Sequence, residues 1–454
     1  MRNTVPWNLV FGLLPLLSGL RAVGQAAPSF TLRQAVAVSL DKSPDRRMAA
    51  SNVDLARIDA KAARTALLPN LFFSEAITRG NDPVYAFGTR LRQQRFQQSD
   101  FALNNLNRPT PINDFTTRFS GNWMGFDSWH TELQIRRSDL LLKSAEASAG
   151  RSDQEIVHRV VTSYEHMLFA SRFAELARHQ AQTAQSVLDA SQSRVQAGVA
   201  VDADQLTAAT NLALRQQESI EAEGNLATAW AELERAIGAP IREDQRQLQT
   251  LAEKHFDPPA IQEAVSVALR SRPDRESLIE QLRAQKAGVA AAKAGFGPTI
   301  GAVGSWETDR QSFAGDGGNN WMAGAELRVD LLPAARRDEL AAAKATLQRT
   351  EAASDAADQQ IRLEVVRAWY AHQAASRMLD VARASVAQSD ESLRILRDRY
   401  DAGLVTVTEL LRSEDAQRQS VTSYWQAVFR NAVSYADLEF AMGTLNASNA
   451  GDLE

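Results

Sequence analysis

Two long tracts of the chain carry apolar residues at helical spacing and contain no residue that stops a helix. They run from about 139 to 197 and from about 337 to 402. This period is typical of an amphipathic helix, and at ~1.5 Å per residue each tract would be about 90 to 100 Å long. The pattern predicts two rods with coiled-coil contacts. In the second rod the narrow apolar stripe consists of Leu363, Val366, Tyr370, Ala374, Met378, Ala382, Val386, Leu393 and Leu396.

Four short segments alternate apolar and polar residues instead. They lie near 70–79, 115–126, 299–308 and 320–331 and predict two β-hairpins. An apolar face with aromatic residues opposite a polar face is typical of an outer-membrane barrel, although a soluble sheet packed on a helix has the same alternation. In a barrel, the lipid face would contain Phe119, Trp123, Trp306, Trp321, Leu327 and Val329, and the lumen face would contain Arg118, Glu326, Arg328 and Asp330.

This order of elements occurs twice. LRQAVAVSLDKSPDR at 32–46 returns as IQEAVSVALRSRPDR at 261–275, an offset of 229 with seven of fifteen residues identical. RVQAG at 194–198 returns as RYDAG at 399–403, an offset of only 205. The offsets differ by 24, which places an insertion of that length in the first half, between Pro69 and about Val160. We expect a first structural repeat at 27–240, a linker at 241–259, a second repeat at 260–445 and a C-terminal tail at 446–454.

Each rod ends at a glycine, Gly198 or Gly403, which can take the left-handed conformation that closes a helix. A new helix is predicted to begin within a few residues, so each glycine marks the tip of a helical hairpin. Thr406 and Glu409 have the spacing of a capping box. In the first half we expect Asp202 and Gln205 to cap the returning helix.

The first 26 residues have the pattern of an export signal. Arg2 precedes an apolar run at 7–20 and small residues at 24–27. A membrane anchor is the alternative interpretation, but Asn8 and Pro15 interrupt the run, which is shorter than the ~20 apolar residues that a spanning helix needs. We therefore expect a signal peptide at 1–26.

The composition excludes several classes of site. The chain has no cysteine, so it has no disulfide, thiolate metal ligand or cysteine nucleophile. Its net charge is −5 with scattered basic residues, and no nucleic-acid partner is predicted. EIVH at 155–158 fits half of a di-iron motif, but the sequence has no second copy. Without a phosphate-binding loop or a nucleophile motif, the sequence predicts no cofactor, no metal and no enzyme.

Four strands are too few to close a barrel within one chain. The smallest single-chain barrels have about eight strands, and an open edge in lipid leaves backbone groups unpaired. Two copies would give eight strands and a filled interior, whereas three would give twelve and leave room for water. The charged inner faces favour three copies.

The two copies of LxxAVxxAL…P and of R-[VY]-x-A-G, with helices, hairpins and glycine tips in the same order, resemble the TolC-like outer-membrane efflux protein family from about Leu32 to Leu445. The resemblance implies a mainly α chain with a membrane β-barrel portion. Each chain would contribute long antiparallel helices to a periplasmic α-barrel and four strands to a trimeric, twelve-stranded β-barrel in the outer membrane. The function implied is the exit duct of a tripartite efflux pump or type I secretion system.

The resemblance also implies partners and a site. The partners would be two further copies of the chain, outer-membrane lipid, a periplasmic adaptor (membrane fusion) protein and an inner-membrane transporter. A periplasmic structural coiled-coil protein without a pore is the alternative. Leu404 and Val405 stand after Gly403, so a gate built on an arginine at that point is not expected. The periplasmic entrance and adaptor-docking tips would contain Gly198, Asp202, Asp204, Tyr400, Asp401, Gly403, Thr406 and Glu409.

Overall fold

The computed structural model describes residues 30–243, 246 and 251–453, so the predicted signal peptide at 1–26 lies outside the described residues. The elements follow one another twice as two short helices, a strand pair and two long helices. In chain order they are α1 (Leu32–Lys42), α2 (Pro44–Thr65), β1 (Asn70–Gly80), α3 (Pro83–Arg92), α4 (Leu103–Asn107), β2 (Ile112–Phe126), α5 (His130–Gln196), α6 (Asp202–Ile237), α7 (Ile261–Ser271), α8 (Pro273–Ala294), β3 (Thr299–Arg310), β4 (Gly317–Arg328), α9 (Ala334–Asp401) and α10 (Val407–Met442).

The repeated PDR sequence builds the same joint in both halves. A proline opens α2 and α8, where its missing N–H costs no helical hydrogen bond, and it keeps the preceding residue from continuing the earlier helix. Two residues later, Arg46 and Arg275 each donate a 2.7 Å hydrogen bond to a carbonyl of the preceding helix, that of Leu40 and that of Leu269. One sequence motif thus fixes the angle between two helices twice.

The two predicted rods are present. The α5 helix has 67 residues and α9 has 68, so each is about 100 Å long. The stripe predicted on α9 is not the one that this chain buries: Leu363, Tyr370 and Met378 are exposed. The buried positions of α9 are Ile361, Val365, His372, Ala375, Leu379 and Tyr400.

The largest hydrophobic core lies about midway along the long helices. There α1, α5, α6 and α10 meet around the fully buried Tyr164, whose hydroxyl donates to the carbonyl of Phe30 at 2.9 Å. Leu32, Met167 and Leu233 are also fully buried in this core. The tips and the strands lie at opposite ends of the long helices, so this core holds the two functional ends apart.

The strands form one antiparallel sheet in the order β1-β2-β3-β4. The two predicted hairpins are present, and β2 also pairs with β3. The β4 strand starts earlier than expected and ends at Arg328, so Val329 and Asp330 lie outside it. Arg328 pairs with Thr299, the first residue of β3, and Pro298 before it has no N–H to extend the ladder. Among the described residues, no strand pairs with the outer edge of β1 or of β4.

The extra residues of the first half lie between β1 and β2. That connection, residues 81–111, contains α3, a short 3-10 helix and α4, whereas β3 and β4 are joined by residues 311–316 alone. Pro83 opens α3, and the Asp82 carboxylate caps it by accepting from the backbone N–H of Tyr85 at 2.9 Å. Among the described residues, no helix is both long enough and apolar enough to cross a membrane.

Candidate functional site

The two hairpin tips have the same backbone. Gly198 and Gly403 lie in the left-handed region, with φ of 70° and 76°, as predicted. At the first tip, Val199 donates to the carbonyl of Arg194 at 3.0 Å. At the second, Leu404 donates to that of Arg399 at 2.9 Å. This six-residue closure satisfies a terminal carbonyl at each tip.

The side chains that start the returning helices differ. Thr406 and Glu409 form the predicted capping box: the Glu409 N–H donates to the Thr406 hydroxyl at 3.3 Å, and the Thr406 N–H donates to the Glu409 carboxylate at 3.0 Å. The predicted cap at Asp202 and Gln205 is wrong. The α6 helix starts one residue earlier, so Asp202 is its first residue and the cap position belongs to Val201.

The two tips are joined within one chain by Arg194. Its guanidinium carbon lies 4.0 Å from the centroid of the Tyr400 ring, and the same group donates to the Tyr400 carbonyl at 2.9 Å. It also lies 3.8 Å from the Asp401 carboxylate. Arg194 was not predicted as a site residue, although it opens the RVQAG motif and stands in register with Arg399. A cation over an aromatic face is a stabilising contact.

Tyr400 is the buried aromatic residue of the second tip. Its side chain packs with Val407 and Leu410 in a small buried cluster, and only 7% of its surface is exposed. Burial raises the pKa of the Tyr400 hydroxyl, so the ring stays neutral at ordinary pH. Tyr400 therefore contributes apolar packing as well as a surface for the Arg194 cation.

The acidic residues of the tips lie nearer the solvent. Asp202, Asp401 and Glu409 are exposed, and Asp204 is partly exposed. Asp204 and Glu409 occupy the same position in their helices, the third residue, where a negative charge interacts favourably with the helix N-terminus. One chain therefore presents a carboxylate from each tip at a matching place.

A second group of charges, also missed from the sequence, lies above the tips, and one of its ion pairs joins the two hairpins. Arg215 of α6 is 8% exposed and lies 3.0 Å from the Asp415 carboxylate of α10. Arg397 of α9 lies 3.1 Å from the Glu414 carboxylate. Burial raises the pKa of Glu414, and Arg397 opposes that shift only in part. These polar contacts have no regular spacing in the sequence that could have identified them.

At the other end of the molecule, the strand register separates an apolar face from a polar one. Phe119 pairs with Phe73 on one side and with Trp306 on the other, and Trp306 pairs with Trp321. Paired residues point to the same face, so these four aromatic side chains form a row across the sheet. The ring centroids of Phe73 and Phe119 are 5.1 Å apart, and those of Phe119 and Trp306 are 5.9 Å apart.

The remaining predicted strand residues follow the same alternation. Trp123 and Leu327 share the face of the aromatic row, with Leu327 next to the last residue of β4. Arg118, Glu326 and Arg328 lie on the opposite face. There the Arg118 side chain pairs with Glu307 at 2.5 Å, and Arg328 pairs with Glu326 at 2.9 Å. Within the described residues, no cluster of histidine and acidic side chains could hold a metal ion.

The chain is similar in sequence and in fold to known outer-membrane proteins. A family model described as outer membrane efflux protein matches residues 125–239 and 264–444. The alkaline protease secretion protein AprF of Pseudomonas aeruginosa is 25% identical, over 99% of this chain and 90% of that protein. The crystal structure of the CmeC outer membrane channel of Campylobacter jejuni superposes with a TM-score of 0.78 at 17% identity, over 97% of this chain and 95% of that one. A crystal structure of CusC gives 0.78 at 17% identity, over 92% and 93%.

Proposed function

The chain belongs to the outer membrane efflux protein family and forms the outer-membrane exit duct of an efflux or secretion system, and we propose that three copies assemble this duct around one axis. Each copy would supply four strands to a twelve-stranded barrel and two helical hairpins to a periplasmic tunnel. A periplasmic adaptor protein and an inner-membrane transporter would dock at the tips. We propose the division into a first repeat at 27–240, a linker at 241–259 and a second repeat at 260–445.

The unpaired edges of β1 and β4 are the observation that supports assembly best. In lipid, an edge strand leaves N–H and C=O groups without partners, at a cost of several kcal/mol for each group. Pairing β4 of one copy with β1 of the next removes every edge when the ring closes. The apolar stripe of α9 supports the same conclusion, because its residues Tyr370 and Met378, and Val381 next to the stripe, are more than half exposed in a single chain.

At the tips, we propose that Asp204 and Glu409 from three copies surround the entrance of the tunnel. Up to six carboxylates near one axis would favour cations. The contact of Arg194 with Tyr400 would hold the two hairpins of each copy together in the resting state. At the strand end, we propose that the aromatic row faces lipid and that Arg118, Glu326 and Arg328 face the lumen.

Assembly and strand orientation are tested together with two neighbouring substitutions. Leu327→Arg places a charge on the lipid face, where arginine costs about 2–4 kcal/mol at the midplane and less near the interfaces. We expect it to reduce the yield of detergent-extracted trimer from the outer membrane. Glu326→Arg changes a side chain that faces water, so trimer yield should stay near that of the parent chain. Native mass spectrometry measures the number of copies.

A monomeric parent protein that leaves the cell envelope without detergent would contradict the proposal. Equal yields of the two variants would show that the assignment of the sheet's faces is wrong.

A further inference from the structure

The segment between β1 and β2, residues 81–111, is a small folded unit without a counterpart in the second repeat. Its aromatic rings pack edge to face, with centroids 4.8 Å apart for Phe87 and Phe96 and 5.1 Å apart for Phe96 and Phe101. Arg90 forms an ion pair with Asp100 inside the segment. These contacts give the segment a folded structure of its own.

The segment lies on the polar face of the strands. The strand register places Asp114, Asp309 and Asn320 on the same face as Arg118. The Arg92 guanidinium, at the end of α3, lies 3.5 Å from the Asp114 carboxylate and 3.6 Å from that of Asp309. Both aspartates are at most 2% exposed. The positive charge of Arg92 thus lies between two buried carboxyl groups, one of β2 and one of β3.

Hydrogen bonds from side chains to backbone carbonyls extend the contact to the edge strand β4. The side-chain amide of Asn320 donates to the Arg92 carbonyl at 3.3 Å, and the side-chain amide of Gln94 donates to the Asn319 carbonyl at 3.4 Å. A Cβ added to Gly318 would lie 1.9 Å from the Arg92 carbonyl oxygen, a distance that no side chain can accept. Gly318 therefore allows the end of α3 to lie directly on the strand.

The chain path shows which end of the barrel this is. Strand β1 leaves the helical body at Asn70 and reaches Gly80 just before the segment, so residues 81–111 lie at the end of the sheet away from the helices. With the helices in the periplasm, that end faces the exterior.

We infer that residues 81–111 of each copy fold inward over the lumen and narrow its outer mouth. This inference rests on the proposed trimer with its polar face inside. The duct would then have a constriction at each end, one at the helical tips and one built from an insertion in the first repeat. The outer constriction would limit the entry of bulky solutes from outside, and it would open when Arg92 and Gln94 leave the strands.

A single introduced thiol tests this in whole cells, because the chain has no cysteine of its own. Ser120→Cys places the thiol on the polar face of β2, six residues closer to the helical body than Asp114. The probe is a bulky, membrane-impermeant polyethylene glycol maleimide added outside the cells. Labelling should be slow in the parent background, since the segment shields the lumen.

Two glycine substitutions on the same face of β4 provide the matched comparison. Gly318→Ala forces the end of α3 away from the strand and should speed labelling about tenfold, as expected for a shift of about 1.4 kcal/mol in an open–closed equilibrium. Gly324→Ala meets its nearest atom, in Val303, at an ordinary 3.7 Å and should leave the rate unchanged. Arg92→Gln removes the ion pairs without a clash and should also speed labelling.

The outcomes separate this inference from the proposed function. Labelling that is fast in the parent and equal in all backgrounds would overturn the outer constriction. Ala323→Cys, on the apolar face, should not react in any background. If the Ala323 thiol reacted and the Ser120 thiol did not, the assignment of the lumen face would be wrong, and with it the proposed barrel. If the Gly318→Ala variant fails to form trimers, the labelling rate of the Ser120 thiol in the Arg92→Gln background tests the outer constriction instead.

Discussion

At the first hairpin tip α5 ends at Gln196 and α6 begins at Asp202; at the second tip α9 ends at Asp401 and α10 begins at Val407. The glycine turns between them have the same hydrogen bonds and the same left-handed φ. The first residue of both motifs is arginine, but the side chains differ at two other positions that make contacts. Tyr400 stands in register with Val195, and Thr406 stands in register with Val201.

The contact between the two tips therefore takes one side chain from each hairpin. The second tip supplies the buried ring and the capped helix, while the first supplies the Arg194 cation that covers the ring. Both tips have the arginine, but only the second has the ring. The first hairpin therefore cannot make the contact within itself, and the contact of Arg194 with Tyr400 joins the two hairpins.

The largest effect is expected from removing the buried ring. Tyr400→Ala should lower the free energy of unfolding by about 3 kcal/mol, the range of large aromatic truncations in a packed core. It should also raise the resting conductance of the channel in planar bilayers. Val195→Ala, the matched change on the first tip, should do neither. If both variants destabilised the protein equally, the tips would be equivalent despite their contacts.

The cation that covers the ring should contribute less. Arg194→Ala removes one cation–π contact and one charged hydrogen bond, worth about 1–2 kcal/mol together at this partly exposed site. Arg399→Ala removes the register partner, whose side chain is exposed, and should change the free energy of unfolding by less than about 0.5 kcal/mol. Thermal unfolding of detergent-extracted protein measures both, and a larger loss for Arg399→Ala would contradict the division between the tips.

The caps should have a smaller effect still. Thr406→Ala removes a capping hydroxyl and should cost about 1 kcal/mol. Val201→Thr gives the first tip a hydroxyl at the equivalent position and should stabilise α6 by up to about 1 kcal/mol. Hydrogen exchange at the first turns of α6 and α10 reports each helix separately. A loss of stability with Val201→Thr would mean that this position needs its apolar side chain.

The acidic residues should affect ion selectivity with little change in stability. Glu409→Gln keeps a residue that can complete the capping box and removes a charge. Asp204→Asn is the matched change on the first tip. We expect each to reduce cation selectivity in planar bilayers, and the pair together to reduce it further. If trimers form normally and selectivity stays unchanged in both, the carboxylates serve only their helix ends.

The elements with regular spacing could be predicted from the sequence. Gly198 and Gly403 are marked by their motif, the strands by alternation, and the capping box by the spacing of Thr406 and Glu409. The predicted cap at Asp202 was wrong, because an acidic residue is common both before a helix and in its first turn. Only the register with Thr406 identifies the correct start.

Contacts between distant parts of the chain could not be predicted in this way. Arg194 meets Tyr400, and Arg92 meets Asp309, across more than two hundred residues each. Neither pair has a local pattern, and both depend on how the hairpins and strands lie side by side. Which apolar residues of α9 are buried within one chain could not be predicted for a related reason. Tyr370 and Met378 of the predicted stripe are exposed in a single chain, and in the proposed trimer a neighbouring copy would cover them.

The unpaired edges of β1 and β4 have a genetic consequence. In the proposed ring of three identical chains, each copy would offer one edge to each neighbour, so a single copy with a damaged edge would leave the whole barrel open. In a cell that makes normal and edge-defective chains in equal amounts, random assembly would leave only about one ring in eight intact. An allele with a proline in the middle of β1 should therefore be dominant, and its effect should grow steeply with its share of the total expression.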